Sequence, residues 1–364
     1  MSNRPIGYKY WTQLREHLGN TKGCVFDGEL VYPRQLEIHL PGNHLIPCNF
    51  NCSHCQGRKL KQPLGDWEQI GLSLLRQLED SIPYHIYGGA YTEPLLNGWL
   101  PHYIALTKQF GCSFGVHTNG SMLTERTDFL DVVEQTASSK KDYVSISLDA
   151  GDQKSHSFVK RKGGYFNIIV RGIRKLKELD NPNLSIRIVY LMNNLNSEPD
   201  VIKKAVDIAR DIGVDSLRFS IPYDNYGVDF DHVRGYKQHM ELRYKDEYYS
   251  VVEPYLSKGN EKPFIFWIPP ECQDVDKLTY RQCIYSYYQI TLGADGYVYR
   301  CSSTASPSFK ACRLGKIPDS LDAFNAMIIA NHNPNWKPQT CFSMGARCNR
   351  IAMEINEEWD SQKH

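Results

Sequence analysis

The chain has 364 residues, room for two or three domains, and its 41% hydrophobic and 23% charged content is that of an ordinary globular protein. A net charge of +1 leaves no overall field to draw it to nucleic acid or to an acidic membrane surface. No apolar run approaches the roughly 18–20 residues that cross a bilayer. The N-terminal stretch "MSNRPIGYKYWTQLREHLG" also lacks an apolar signal-peptide core, so the expected location is the cytoplasm.

From residue 35 to about 222, β-rich apolar runs alternate with amphipathic stretches. The predicted strands are "QLEIHL" (35–40), "YHIYGG" (84–89), "CSFGVHT" (112–118), "YVSISLD" (143–149), "LSIRIVYLM" (184–192) and "SLRFSIP" (216–222). Helical patterns fill the gaps. In 66–80, Ile70, Leu74, Leu75 and Leu78 share one face, and 167–180 and 198–213 repeat the arrangement. Strands alternating with helices imply βαβ units, a parallel sheet and an α/β fold. The expected architecture is a partial (β/α)6 TIM-like barrel over 35–222, with functional residues at the C-terminal strand ends. Residues 1–34 form an N-terminal extension.

Beyond 222 this rhythm stops. Residues 223–282 are rich in Tyr, Asp and Pro and are expected to act as a connector that contributes to a substrate pocket. Residues 283–364 are expected to form a small α+β domain. Its hairpin, "YYQITLGADGYVYRC", turns at "ADG", and its helix is "SLDAFNAMIIAN".

Eleven cysteines is a high count for a chain in a reducing compartment, where thiols serve as metal ligands or catalytic groups more often than as disulfides. Cys48, Cys52 and Cys55 fall within eight residues; Cys283, Cys301, Cys312, Cys341 and Cys348 form a second group. Cys24, Cys112 and Cys272 are scattered. Zinc knuckles pair thiols as C-x2-C and repeat the pair, whereas here the spacing is C-x3-C-x2-C with no fourth ligand in the following stretch. His54 is wedged between two of the thiols. Three thiolates on a [4Fe–4S] cluster leave one iron open to an exogenous ligand. Zinc and structural cysteines are the competing readings.

Placed just after the first predicted strand of a βα barrel, Cys48-x3-Cys52-x2-Cys55 resembles the signature of radical S-adenosylmethionine (SAM) enzymes. The resemblance implies that SAM chelates the open iron, is cleaved reductively, and yields a 5′-deoxyadenosyl radical that takes hydrogen from a substrate. It also implies an electron donor such as flavodoxin or ferredoxin. "YGGAYTEPLLN" is similar to the family's "GGEP" segment, with Gly88 and Gly89 separated here from Glu93-Pro94. Gly89 and Glu93 are thereby implied SAM contacts. "HTNGSMLT" supplies Asn119, and the segment around the fourth strand supplies Ser147 and Arg161. The fifth strand supplies Arg187 and Asn194. His54 stands where the family carries an aromatic residue against the adenine. An ordinary turn around Glu93 and an ordinary strand serine at 147 are the alternatives.

The C-terminal group resembles the SPASM and shorter twitch extensions of that family, carried by Gly296-x4-Cys301 and the rhythm Gly315-x-Ile317-x-x-Ser320-Leu321. A full SPASM domain needs seven or more cysteines. The five here imply one auxiliary [4Fe–4S] cluster on Cys283, Cys301, Cys341 and Cys348, with Cys312 as a possible substitute; structural zinc is the alternative. The expected substrate is a small polar natural-product precursor of sugar, aminocyclitol, nucleoside or amino acid type, since about 34 residues before the first strand leave little room for a leader-peptide-binding domain. A ribosomally made precursor peptide is the second reading, and a non-catalytic zinc- or cluster-binding protein is the third.

Overall fold

The parallel sheet predicted from the alternating runs is present, and it is longer than six strands. The computed structural model describes residues 30–43, 46–55, 66–89, 91–221, 244–268, 287–307 and 310–331. Six predicted strands appear as β1 (Gln35–Ile38), β2 (Tyr84–Tyr87), β3 (Ser113–Thr118), β4 (Tyr143–Ser147), β5 (Ser185–Leu191) and β6 (Ser216–Ser220). They pair in chain order, all parallel. A seventh, β7 (Phe264–Ile268, "FIFWI"), extends β6 in parallel from within the stretch expected to be only a connector.

Between the strands lie α1 (Glu68–Leu78), α2 (Leu100–Gln109), α3 (Thr127–Thr136), α4 (Gln153–Lys160), α5 (Phe166–Glu178) and α6 (Pro199–Ile212). A further helix, α7 (Tyr244–Val252), precedes β7. Helix α6 shows how local chemistry sets the bounds. Pro199 opens it, where a missing N–H costs nothing, and Gly213 closes it at φ 71°. Ile202, Ala205, Val206, Ala209 and Ile212 recur at helical spacing and are buried. In α1 the buried face is Gly71, Leu74, Leu75 and Leu78, while Ile70 is 38% exposed and lies off the expected stripe.

Strand side chains alternate between two environments. Leu36, Ile38, Val144, Ile146, Ile188, Leu217 and Phe219 point to the helices and form the core with them. The alternate set, including Glu37, His117, Tyr143, Arg187 and Arg218, faces the inside of the open barrel. That inside is accessible: β2 and β7 alternate half-buried with buried residues, and His117 is exposed in a central strand.

The C-terminal region continues the same sheet. Strand β8 (Gln289–Leu292) pairs parallel with β1, and the hairpin β8–β9 (Tyr297–Tyr299) is followed by antiparallel β10 (Arg313–Lys316). Among the described residues the sheet has ten strands in the order β10-β9-β8-β1-β2-β3-β4-β5-β6-β7. The expected "ADG" turn joins β8 to β9, with Gly296 at φ 79°. Helix α8 (Leu321–Asn331) packs beside α1; the Leu321 N–H donates to Gln77, whose amide donates to the Asp319 carbonyl. Trp67 Nε1 donates to the Ala294 carbonyl at the hairpin turn. Among the described residues, no helix is long and apolar enough to cross a membrane.

Candidate active site

The cysteine-bearing loop leaves β1 and is tied to three neighbouring elements. Gly42 starts it, and a Cβ there would meet the carbonyl oxygens of Ile46 and Pro47 at 2.3 and 2.4 Å, so only glycine allows the fold-back. The Glu93 N–H donates to the Pro47 carbonyl at 2.9 Å. Asn51 and Ser53 N–H groups donate to Lys160 and Val159 at the end of α4, at 3.2 and 2.8 Å. Phe50 wedges beneath, edge-on to His156 and Tyr165.

Cys48, Cys52 and Cys55 are half-buried and form no disulfide. Burial, together with the charge of Glu93 and the other thiols, pushes Cys48 up to about 12. Burial also raises Cys52 to about 12 against the pull of Lys160. Such thiols ionise when a metal takes the thiolate. Two N–H donors already address Cys48 Sγ, the Phe50 backbone at 3.4 Å and Asn119 Nδ2 at 3.6 Å. Among the described residues, no three His, Cys, Asp or Glu side chains converge as ligands of one ion do. The three thiols lie near enough for Cys52 and Cys55 to raise Cys48 and for Cys55 to raise Cys52, a grouping that three thiolate ligands of one cluster need. The residues present fit a [4Fe–4S] cluster.

Glu93 lies beside the loop, 2% exposed. Its carboxylate accepts from the Asn119 backbone N–H at 2.7 Å, from Thr118 Oγ1, and from the Leu95 N–H at 3.1 Å. Burial outweighs these donors and lifts its pKa to about 7. Asn119 also reaches Asn49 Oδ1 at 2.9 Å, and Asn49 reaches Ser121 Oγ at 2.7 Å, so the turn after β3 is stitched to the cysteine loop. That turn needs Gly120, at φ 77°, where a Cβ would crowd Ile146 and Ile169.

The structure thus brings together the three thiols, Glu93 and Asn119. Gly89 packs so closely on Thr92 that a Cβ would meet its Oγ1. Ser147 ends β4, one residue past Ile146, the partner of Thr118, and is half-buried. His54 sits near Asp149 and Lys160, its pKa pushed down to about 4 by burial. Arg161 is exposed and closes α4 at φ 51° in the left-handed region. Asn194 is exposed in a turn whose structural work falls to Asn196; that amide donates to the carbonyls of Asp149 and Leu191. Arg187 faces the lumen and stacks on Tyr143 at 3.8 Å. The partners of Arg187 are Tyr143 and Ser185 rather than the cysteine loop.

Sequence reasoning missed Lys160 and Asp149. They form a buried ion pair at 2.5 Å under the cysteine loop, with side chains 2% and 0% exposed. Asp149 also receives the Leu191 N–H at 2.7 Å. Nothing in "SLDAGDQKSHSFVK" marks these two as partners, because the pairing depends on the turn from β4 into α4.

In the C-terminal region, Cys301 and Cys312 are both buried, and the Arg300 N–H donates to the Cys312 carbonyl, which sets the two cysteines on adjoining strand ends. Cys283, Cys341 and Cys348 lie outside the described residues.

An open parallel barrel with its cofactor-type residues at the carboxyl ends of β1, β2 and β3 is the frame of an α/β-barrel enzyme. Residues 44–205, a little under half the chain, match the Radical SAM superfamily, so that stretch is a radical SAM domain. Such domains use SAM with a [4Fe–4S] cluster. The chain is similar to the S-adenosylmethionine-dependent nucleotide dehydratase of Thermoplasmatales archaeon (strain ISO4-H5), 28% identical over 142 residues, 38% of this chain and 46% of that one. The match therefore spans less than half of that relative. Among solved structures it is similar to Streptococcus suis SuiB bound to S-adenosylmethionine, with TM-score 0.57 and 15% identity over 94% of this chain and 77% of the other. It is also similar to anSMEcpe with bound AdoMet, with TM-score 0.55 and 13% identity over 90% and 97% of the two chains. At these identities the likeness is one of fold.

Proposed function

We propose that this chain cleaves SAM reductively and uses the resulting 5′-deoxyadenosyl radical to take hydrogen from a small polar precursor of sugar, aminocyclitol, nucleoside or amino acid type. The observation that carries the reading is the accessible polar lumen beside the cysteine loop: His117, Tyr143, Arg187 and Arg218 face a space that in a closed small barrel would be packed with apolar side chains. The cluster and SAM, when bound, supply the radical. The protein's own residues do the rest. Cys48, Cys52 and Cys55 would hold the cluster, and the buried Glu93 carboxylate beside them would serve as an acidic contact for SAM. Asn119 fixes both Glu93 and Cys48, and the barrel walls keep water from the radical. The name of the 28%-identical relative, a nucleotide dehydratase, supports counting nucleotides among the candidate substrates.

One auxiliary cluster on Cys301, with Cys283, Cys341, Cys348 and Cys312 as candidate co-ligands, belongs to the same reading. The burial of Cys312 beside Cys301 argues for counting it as a ligand candidate rather than as a spare. A flavodoxin or ferredoxin is the proposed electron donor. A precursor-peptide substrate is the second reading, supported by the fold likeness to SuiB, a protein whose structure is also solved bound to precursor peptide SuiA.

The test is anaerobic reconstitution. About eight irons per chain, with 5′-deoxyadenosine formed under dithionite, support the reading; bound zinc and no cleavage overturn it. Candidate sugars, aminocyclitols, nucleotides and peptides in deuterium-labelled form then identify the substrate by deuterium transfer into 5′-deoxyadenosine.

A further inference from the structure

The surface beside the cysteine loop carries a charge pattern that neither the cluster nor SAM accounts for. Between Glu37 and Asp66 the sequence holds no acidic residue, and Arg58, Lys59 and Lys61 follow closely on the third cysteine. Residues 153–177 hold eight Lys and Arg and no Asp or Glu, in a chain whose totals of 42 and 41 nearly balance. The fold joins these two segments, because the Asn51 and Ser53 N–H groups donate to the Lys160 and Val159 carbonyls at the end of α4.

Helix α4 turns its two faces to different surroundings. Ser155, His156, Val159 and Lys160 are buried. Lys154, Phe158, Arg161 and Lys162 recur at helical spacing on the other face, and all four are exposed. Phe158 is 55% exposed, an apolar ring set among cations. Lys162 Nζ lies 5.4 Å from the centre of the Tyr165 ring, which is edge-on to Phe50 under the loop. The two acids that flank the start of α4 are already paired, Asp149 with the buried Lys160 and Asp152 with Lys204. Arg161 closes the helix at φ 51°, ψ 37°, where glycine is the cheaper residue. The loop after it is open to an approaching backbone, since a Cβ built on Gly164 meets nothing within 4 Å. An apolar centre with a charged rim is the composition of small, transient protein interfaces, and one-signed charge speeds their encounter with a partner of the opposite sign.

We propose that the exposed face of α4, Phe158 with Lys154, Arg161 and Lys162 around it, docks a small acidic one-electron carrier protein. The inference rests on the radical SAM reading of the cysteine loop. The route inward is short: Phe158 adjoins Val159, whose carbonyl accepts from Ser53 at 2.8 Å, and Ser53 adjoins Cys52. On docking, the reduced carrier loses one electron and the cluster held by the loop gains one; no atom is transferred. Single-stranded RNA is the other polymer that suits cations around an aromatic ring, but the contact of this face with the cysteine loop favours the electron carrier.

The experiment uses the full chain, reconstituted and SAM-loaded, with flavodoxin and a [2Fe–2S] ferredoxin as probes. Calorimetry reads binding of the oxidised carriers, and anaerobic stopped flow reads cluster reduction by the reduced carriers and, separately, by dithionite. At least one carrier is expected to bind, with affinity falling about tenfold or more between about 50 mM and about 300 mM salt. Lys162→Glu and Phe158→Ser should each weaken that binding about fivefold or more and slow carrier-driven reduction in step, while dithionite reduces the variants at the wild-type rate. Lys154→Glu, inside the helix, repeats the reading at a second position on the same face. Lys140→Glu makes the same charge change just before β4, at the other end of the strands, and should bind as wild type. Wild-type protein that cleaves SAM with dithionite but binds neither carrier at about 1 mM would overturn the site. So would variants that bind as wild type, or single-stranded RNA that binds this face more tightly than either carrier. Carrier binding that depends on Lys162 in a protein unable to cleave SAM would uphold the site and refute the radical reading beneath it.

Discussion

Replacing Lys160 with methionine tests the support under the cysteine loop. The substitution keeps the length and apolar stem of the side chain but removes its ammonium, leaving the Asp149 carboxylate at 0% exposure with the Leu191 N–H still donating to it. Burial opposes ionisation of Asp149, yet Lys160 holds its carboxyl below the ordinary value. A carboxyl so lowered contributes its stability above the unfolded pKa, near 4, and loses it only as pH falls through the folded value, so a melt at pH 7 reads the whole effect. Breaking one side of a buried pair costs about 3–5 kcal/mol. At roughly 2–4 °C per kcal/mol for a domain of this size, the melting temperature should fall by roughly 6–20 °C. The Asp149→Asn/Lys160→Met double variant removes both charges and should recover much of the loss, giving a coupling energy of at least about 2 kcal/mol. Anaerobic thermal melts of the four proteins complete the cycle. A Lys160→Met protein that melts within about 3 °C of wild type would show the pair to be worth no more than a surface bridge and refute the reasoning.

Glu93, raised by burial to about 7, should make SAM binding depend on pH. Affinity measured by equilibrium dialysis is expected to fall about tenfold per unit below pH 7 and to level off above pH 8, with Glu93→Gln removing the slope. Because its folded pKa is raised, Glu93's stability contribution is present below about pH 4.5 and lost as pH rises through about 7, so the SAM-free Glu93→Gln protein should gain on wild type in melts at pH 8. Gly120→Ala, at φ 77° with Ile146 and Ile169 within 2.9 Å of the new Cβ, should cost about 1–3 kcal/mol in denaturant unfolding, and a neutral outcome would contradict the turn geometry. Cys301→Ala should lose about four irons and keep the radical cluster's signal, whereas unchanged iron would remove Cys301 from the ligand set. Cys312→Ala, read the same way, decides whether the pair on adjoining strand ends acts together.

The parallel strands and the cysteine loop were legible because they rest on local patterns. β-Branched runs alternate with amphipathic helices, and three thiols within eight residues need no tertiary information to be noticed. "FIFWI" was overlooked because a five-residue apolar run has no periodicity of its own and follows a polar, Tyr-rich stretch. The parallel docking of β8 on β1 was equally hidden, since a hairpin signal says which strands turn back on each other and not which edge they join. Within the site, Glu93 and Asn119 were found through motif order, and the structure supplies what order lacks, namely their hydrogen bond to each other. Arg161 was chosen as the basic residue after β4, while its neighbour Lys160 is the one turned inward. Helix phase, shifted by a single residue, separates the two, and no composition rule resolves that.

The extension of the barrel sheet by β8 bears on how the second cysteine group relates to the substrate. Gln289 on β8 donates to Glu37 on β1, and Ser302, directly after Cys301, also hydrogen-bonds Glu37. Glu37 faces the lumen, so Cys301 is one residue away from a side chain in contact with the lumen wall. A cluster with Cys301 among its ligands would be joined to the lumen wall through Ser302, Glu37 and His39. An auxiliary cluster placed there has a short path for taking an electron from a substrate radical, which favours net oxidation over a purely bracing role. The two roles separate in one variant. Glu37→Gln alters the charge between Cys301 and the lumen without touching a thiol. A redox role predicts a shifted potential for the auxiliary signal in an electron paramagnetic resonance titration, with iron content unchanged. A bracing role predicts no shift.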